Sequence, residues 1–149
     1  KNPIILRPCL MYGPKTETGR GSFLQWMDEA FQQGNAVSLF RDEIRTPVFV
    51  LDVINAIAHL LTELTPFRLY HVGGPERIRR SEFGLRVAAI RGYIPELIKE
   101  TQLAELSTGY PRPEDVSLDS SLIQNTFNLR LTPIGEGIRR SFGLPLEEK

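Results

Sequence analysis

The stretch Leu6-Arg7-Pro8-Cys9-Leu10-Met11-Tyr12-Gly13-Pro14 decides how this chain is read. Ile4-Ile5-Leu6 is a short apolar run of the kind that forms a buried strand, and Arg7-Pro8 closes it. Tyr12-Gly13-Pro14 then turns the backbone, since glycine and proline both punctuate regular structure. A strand end, a proline-fixed turn and a glycine leave backbone groups free to face a flat ligand. Taken alone, a plain strand followed by a loop is the better reading of these residues.

Beyond a polar loop from Lys15 to Gly21, Ser22 can cap a helix whose apolar positions Phe23, Leu24, Met27, Ala30 and Phe31 follow the helical period, with Gly34 ending it. Ala36 to Phe40 reads as a strand, Arg41 to Arg45 as a charged turn, and Pro47 to Val50 as another short strand. Asp52 then caps a helix with a broad apolar face formed by Val53, Ile54, Ile57, Ala58, Leu60, Leu61 and Leu64. Leu69 to Val72 is a strand that runs into the Gly73-Gly74-Pro75 turn, and Ser81 caps a helix to about Arg91 with Phe83, Val87, Ala88 and Ile90 inward. Ile94 to Tyr110 is mixed, with a short helix and an extended piece, and Pro111-Arg112-Pro113 is a rigid loop. Two more helices follow, from Asp119 to about Phe127 and from Ile134 to Phe142. Strands alternating with helices make the class α/β.

The totals exclude several functions. The 149 residues fit one domain with a real core, and 41% hydrophobic with 24% charged is ordinary for a globular protein. Lys and Arg number 18 against 18 Asp and Glu, so the accumulated positive charge that nucleic acids and membrane surfaces require is missing. The single cysteine, Cys9, allows neither an internal disulfide nor a cysteine-based metal site and suits a reducing compartment. His59 and His71 lack metal-ligand spacing. The longest apolar stretch, Pro47 to Leu61, is interrupted by Asp52, Asn55 and His59, and no signal peptide is visible, so a cytoplasmic location is expected. The sequence opens at Lys1 and is apolar by Ile4, which reads as a piece of something longer.

Three further segments carry candidate chemistry. In Arg45-Thr46-Pro47-Val48-Phe49-Val50-Leu51-Asp52-Val53, the Arg45 guanidinium could fork onto a phosphate, although a solvated surface arginine is the better reading by itself. Tyr70-His71-Val72-Gly73-Gly74-Pro75-Glu76 can admit a ligand beside two glycines, but it has neither GxGxxG spacing nor a P-loop Lys-Ser/Thr. In Arg112-Pro113-Glu114-Asp115-Val116-Ser117-Leu118-Asp119-Ser120-Ser121, flanking prolines limit the freedom of Arg112, so less entropy is lost when it clamps an anion. Arg79-Arg80 and Arg139-Arg140 read as pairs on solvated helix faces. No nucleophile elbow and no paired catalytic carboxylates occur.

In this order and spacing the four segments resemble the second half of an extended short-chain dehydrogenase/reductase. Arg7 to Pro14 is similar to that superfamily's Arg-Pro-x-x-x-Tyr-Gly-Pro, Arg45 to Val53 to its Arg…Pro-x-x-Val-x-Asp-Val, and Tyr70 to Gly74 to its Tyr-x-Val-Gly-Gly strand. Within the superfamily, Arg112 to Ser121 looks like the Arg-Pro-x-x-x-Ser-Leu-Asp-Ser-Ser of dTDP-4-dehydrorhamnose reductases and of the regulatory beta subunit of methionine adenosyltransferase. The close from Leu131-Thr132-Pro133 to Phe142 fits their last helix, while Leu122 departs from the lysine usual there.

The resemblance implies a C-terminal part of an NAD(P)-binding Rossmann fold: the last parallel strands plus a small mixed α/β substrate-binding lobe, over residues 1–149. It implies that Pro8, Cys9 and Leu10 lie against the nicotinamide of NADP(H), and that Arg45 and Arg112 converge on the diphosphate of a nucleotide-sugar. Hydride would pass from NADPH to a keto-sugar carbon. The family's Gly-x-x-Gly-x-x-Gly and Tyr-x-x-x-Lys are not in this sequence: Tyr93 and Lys99 are six apart, and Tyr110 has no lysine four residues later. The dinucleotide-binding half is therefore expected upstream, as a partner of this region, and the chain alone is expected neither to catalyse nor to bind NADPH well. Exposed apolar edges and marginal stability are expected where that half would pack. The rival is a non-catalytic regulatory subunit that works through a protein partner. An epimerase or dehydratase is disfavoured by the shortness of the region and by the Arg112 to Ser121 pattern. Homodimerisation is open.

Overall fold

The computed structural model describes residues 3–17, 21–67, 69–106, 110 and 112–146. Residues 18–20 of the polar loop and Pro111 of the proline-flanked loop lie outside them. The elements run β1 (Ile5–Pro8), β2 (Met11–Tyr12), α1 (Phe23–Gln32), β3 (Val37–Phe40), β4 (Ile44–Arg45), β5 (Val48–Phe49), α2 (Val50–Thr62), β6 (Leu69–Val72), β7 (Ile78–Arg79), α3 (Arg80–Arg91), β8 (Ile98–Thr101), α4 (Ser121–Phe127) and α5 (Ile134–Ser141), with short 3-10 turns on either side of β8.

The described strands pair as four two-stranded ladders, β1–β6, β2–β5, β3–β8 and β4–β7. The first three are parallel and β4–β7 is antiparallel. Parallel pairing needs a crossover, and α2 lies within the long connection between the paired strands β1 and β6. The strand expected to be closed by Arg7-Pro8 ends at Pro8, which faces Val72, but it is largely exposed rather than buried. Proline is tolerated there because it is the last residue of the ladder, where its missing N–H breaks no interior bond.

Two cores hold these elements. One lies under α1, β3, α3 and α5, where Tyr12, Leu24, Met27, Phe31, Leu39, Phe83, Val87 and Ile138 are buried together. The other lies between α2, β6 and α4 and contains Val48, Val53, Ala56, Tyr70, Val72, Ile123 and Phe127. The sequence assigns α2 a broad apolar face, of which Val53 is buried, together with Ala56 beside it. Ile54, Ile57, Leu61 and Leu64 are exposed, as are Ile5 and Leu69 on the β1–β6 pair.

Two caps differ from expectation. Asp52 lies inside the first turn of α2, and its carboxylate accepts from the Thr132 amide at 2.7 Å and the Thr132 hydroxyl at 2.8 Å. A loop 80 residues away has captured the acceptor that local pattern assigns to the helix end. Ser81 likewise lies within α3, fully buried, and Glu82 serves the helix start instead by accepting from the Arg79 amide at 3.2 Å. That contact holds the Glu82 carboxyl below the usual carboxylate range.

Candidate anion and cofactor site

The four segments singled out in the sequence come together in space. The Cys9 amide donates to the Val72 carbonyl and the Val48 amide to the Leu10 carbonyl, both at 2.9 Å. The Gly74 amide reaches the Thr46 carbonyl at 2.9 Å. The Leu118 amide donates to the Thr46 hydroxyl at 3.0 Å. Thus residues 9–10, 46–48, 72–74 and 118 form one stitched seam. Two of the backbone groups expected to be free, the Cys9 N–H and the Leu10 carbonyl, are consumed by the seam. Pro8 is exposed, whereas Cys9 and Leu10 are half-buried, at the C-terminal end of a parallel strand. That is the end of an α/β sheet where ligands collect.

The two glycines explain how the seam closes. A Cβ on Gly73 would strike the Thr46 side chain, and one on Gly74 would strike the Pro47 carbonyl. The close approach, rather than a special backbone angle, requires glycine here. The flanking groove, about 270 Å³, is lined by Met11 to Thr16, Gly21, Ser22, Gln25 and Val50. Gln25 donates to the Gly13 carbonyl at 2.5 Å and so fixes the turn to α1.

Arg45 and Arg112, 67 positions apart by their numbers (112 less 45), meet at Glu43. Nη2 of Arg45 is 2.6 Å from Glu43 Oε1, and Nη2 of Arg112 is 3.0 Å from the same oxygen. A third guanidinium, that of Arg80, lies 3.1 Å from Oε2 through its Nε, without the alignment of a hydrogen bond. Neither Glu43 nor Arg80 is signalled by the sequence. The expected charged turn at 41–45 holds a buried carboxylate, Glu43, followed by a short strand, and the expected solvated Arg80 points inward. Charge compensation is the reason, since a carboxylate with 2% side-chain exposure is tolerable only when paired. The one hint for Arg80 is its spacing in α3, three residues before buried Phe83 and seven before buried Val87.

Arg80 stacks on the Phe23 ring with 3.7 Å from Cζ to centroid, and Arg112 stands 5.8 Å from the Phe40 ring centre. Burial lowers the Arg80 guanidinium below its ordinary range, as do the Arg45 and Arg112 charges, while Glu43 works the other way. The cluster carries three positive groups against one negative. It can therefore accept an anion, and its one carboxylate, Glu43, is taken up by the arginines around it. Among the described residues no group of His, Cys, Asp and Glu could hold a metal ion. No helix there is long and apolar enough to cross a membrane.

A parallel strand pair backed by a helix and feeding a small mixed lobe is the C-terminal architecture of Rossmann-fold extended short-chain dehydrogenases/reductases. The chain belongs to the RmlD substrate binding domain family, whose model matches residues 1–143. It is 28% identical over 122 residues to a protein of Haloferax volcanii described as "Probable low-salt glycan biosynthesis reductase", covering 81% of this chain and 40% of that protein. Its fold is similar to dTDP-4-dehydrorhamnose reductase from Bacillus anthracis in complex with NADP, with a TM-score of 0.77 at 20% identity over 93% of this chain and 47% of that one. It is also similar to dTDP-glucose 4,6-dehydratase from the same organism in complex with NAD, with a TM-score of 0.74 at 17% identity over 94% and 43%. The chain thus spans less than half the length of each of these relatives.

Proposed function

We propose that this region is the substrate-side half of an NADPH-dependent reductase of a nucleotide-linked 4-keto-sugar. The observation that carries the reading is the convergence of Arg45, from strand β4, and Arg112, from a loop distant in sequence, on one point. Two guanidinium forks presented together match the oxygens of a diphosphate, and each charge-assisted contact offsets the desolvation of the anion. Membership of the RmlD substrate binding domain family and the likeness to a glycan biosynthesis reductase support a reductase over the dehydratase with the same fold.

In this reading Pro8, Cys9 and Leu10 form the wall against which the nicotinamide rests. The seam bonds from Cys9 and Leu10 fix that wall, and exposed Pro8 offers an apolar ring edge. NADPH supplies the hydride when bound. The role of this chain is to hold the diphosphate, and with it the keto-sugar, at a fixed distance from the strand end. The exposed faces of α2, Ile5 and Leu69 fit against the protein's own dinucleotide-binding half.

The test is NADPH consumption by the full-length protein with dTDP-4-dehydro-6-deoxy sugar, beside Arg112→Ala. Turnover that falls at least tenfold in the variant supports the clamp, given the worth of one charge-assisted contact. Absence of turnover with NADP(H) still bound overturns the reductase reading in favour of a regulatory subunit acting through a protein partner.

A further inference from the structure

We infer that Glu43 and Arg80 are positioning residues for the Arg45–Arg112 clamp, an inference that rests on the diphosphate reading above. The two carboxylate oxygens of Glu43 divide the work. Oε1 faces both clamp arginines, at 2.6 Å and 3.0 Å, while Oε2 faces Arg80 at 3.1 Å. Arg80 is tied to the same residue a second time, because its amide donates to the Glu43 carbonyl at 3.0 Å. The Phe23 ring stacked on the Arg80 guanidinium keeps that head from turning away.

Charge explains why both residues are present. Without Arg80, the buried Glu43 would cancel one of the two clamp charges and leave one. With Arg80 the sum is three positive less one negative, or two, which matches the two negative charges of a nucleotide-sugar diphosphate. Arg80 therefore neutralises Glu43, and Glu43 remains free to fix the clamp arginines as hydrogen-bond acceptor without weakening their joint pull. Arg45 is further held by donating from Nη1 to the Ile44 carbonyl at 2.8 Å. Arg112 has 45% of its side chain exposed. Deprived of Glu43, it would be repelled by Arg45 into solvent.

A purely electrostatic role makes the opposite prediction, since removing a negative charge near an anion site should tighten binding. The experiment is an equilibrium titration of the full-length protein with thymidine diphosphate and with thymidine monophosphate. The variants are Glu43→Gln, Glu43→Asp, Arg80→Lys, Arg45→Ala and Arg112→Ala. We expect Glu43→Gln and Arg80→Lys to weaken the diphosphate roughly tenfold while the monophosphate changes much less. The fall in this ratio is what a merely structural defect would not give. Glu43→Asp retains the charge but withdraws the carboxylate, so it should show the same loss and covers the case in which the glutamine variant does not fold. Unchanged or tighter diphosphate binding in the Glu43 variants, with Arg45→Ala and Arg112→Ala both weakened, overturns the positioning role alone. Unchanged binding in Arg45→Ala and Arg112→Ala overturns the diphosphate reading itself.

Discussion

The hydroxyl of Ser120 closes on Gly73 from both sides. It accepts from the Gly73 amide at 2.6 Å and donates to the Gly73 carbonyl at 3.0 Å, across 47 positions of sequence. Both residues are buried, so each half of the contact replaces water that cannot enter. Ser120→Ala strands two backbone groups of the seam and should destabilise the protein by about 1–3 kcal/mol. Chemical denaturation of the full-length variant checks this, and the midpoint should fall without a change of slope.

Tyr12 is the reverse case. Its hydroxyl is buried and has no hydrogen-bond partner among the described residues. Burial, followed by the charges of Asp52, Glu76 and Glu136, raises the phenol far above its ordinary range. Tyr12→Phe removes an unsatisfied group and keeps the ring packed between Phe49, which is tilted against it, and Phe83, which meets it edge-on. It should leave stability unchanged or raise it by about 1 kcal/mol.

Gly137 of α5 faces that same ring, and a Cβ there would collide with the Tyr12 hydroxyl. Alanine normally improves a helix by up to about 1 kcal/mol over glycine. Here Gly137→Ala should instead destabilise, and combination with Tyr12→Phe should recover part of the loss. A double-mutant cycle on melting midpoints measures the coupling.

Asp115 sets an acid limit for the loop that carries Arg112. The Ser117 amide, and then Arg77, hold its carboxyl down from 3.8 to about 2. A carboxyl depressed in the folded state contributes stability that is complete above its unfolded value and is lost as pH falls towards the folded one. The Arg77–Asp115 contact should therefore persist through neutral pH and weaken only between about 4 and 2. Titration of the Asp115 carboxyl by NMR gives the value directly, and Arg77→Ala should raise it.

The fold was legible where periodicity is strong and the partner is local. The α1 stripe at Phe23, Leu24, Met27 and Phe31, the β6 strand and its glycine turn are all found as the pattern requires. The meeting of Arg45 and Arg112 was expected only through resemblance, since both are ordinary cations until the fold brings them together at Glu43. What sequence could not show was every long-range capture: Asp52 taken by Thr132, Ser81 taken into the core, Glu43 taken by arginines from three segments. For Asp52 a plausible local role gave way to a partner 80 residues away, whereas Ser81 was drawn into the core with no hydrogen-bond partner among the described residues, and Glu43 gathered Arg80 and Arg112 beside neighbouring Arg45. The width of the apolar stripe on α2 was read correctly as a pattern, but its exposure depends on which neighbour is present.

Gly73 and Gly74 have a consequence for anyone wishing to change the ligand. Thr46 and Pro47 follow Arg45 directly, and both are jammed against these glycines without room for a methyl group. Leu118 and Ser120, which follow Arg112 in the next stretch of chain, are anchored to the same spot. The spacing of the two arginines is thus a property of that crossing point. Redesign for a longer or shorter anion would have to start at that crossing, because new side chains at the arginine positions would inherit the old gauge.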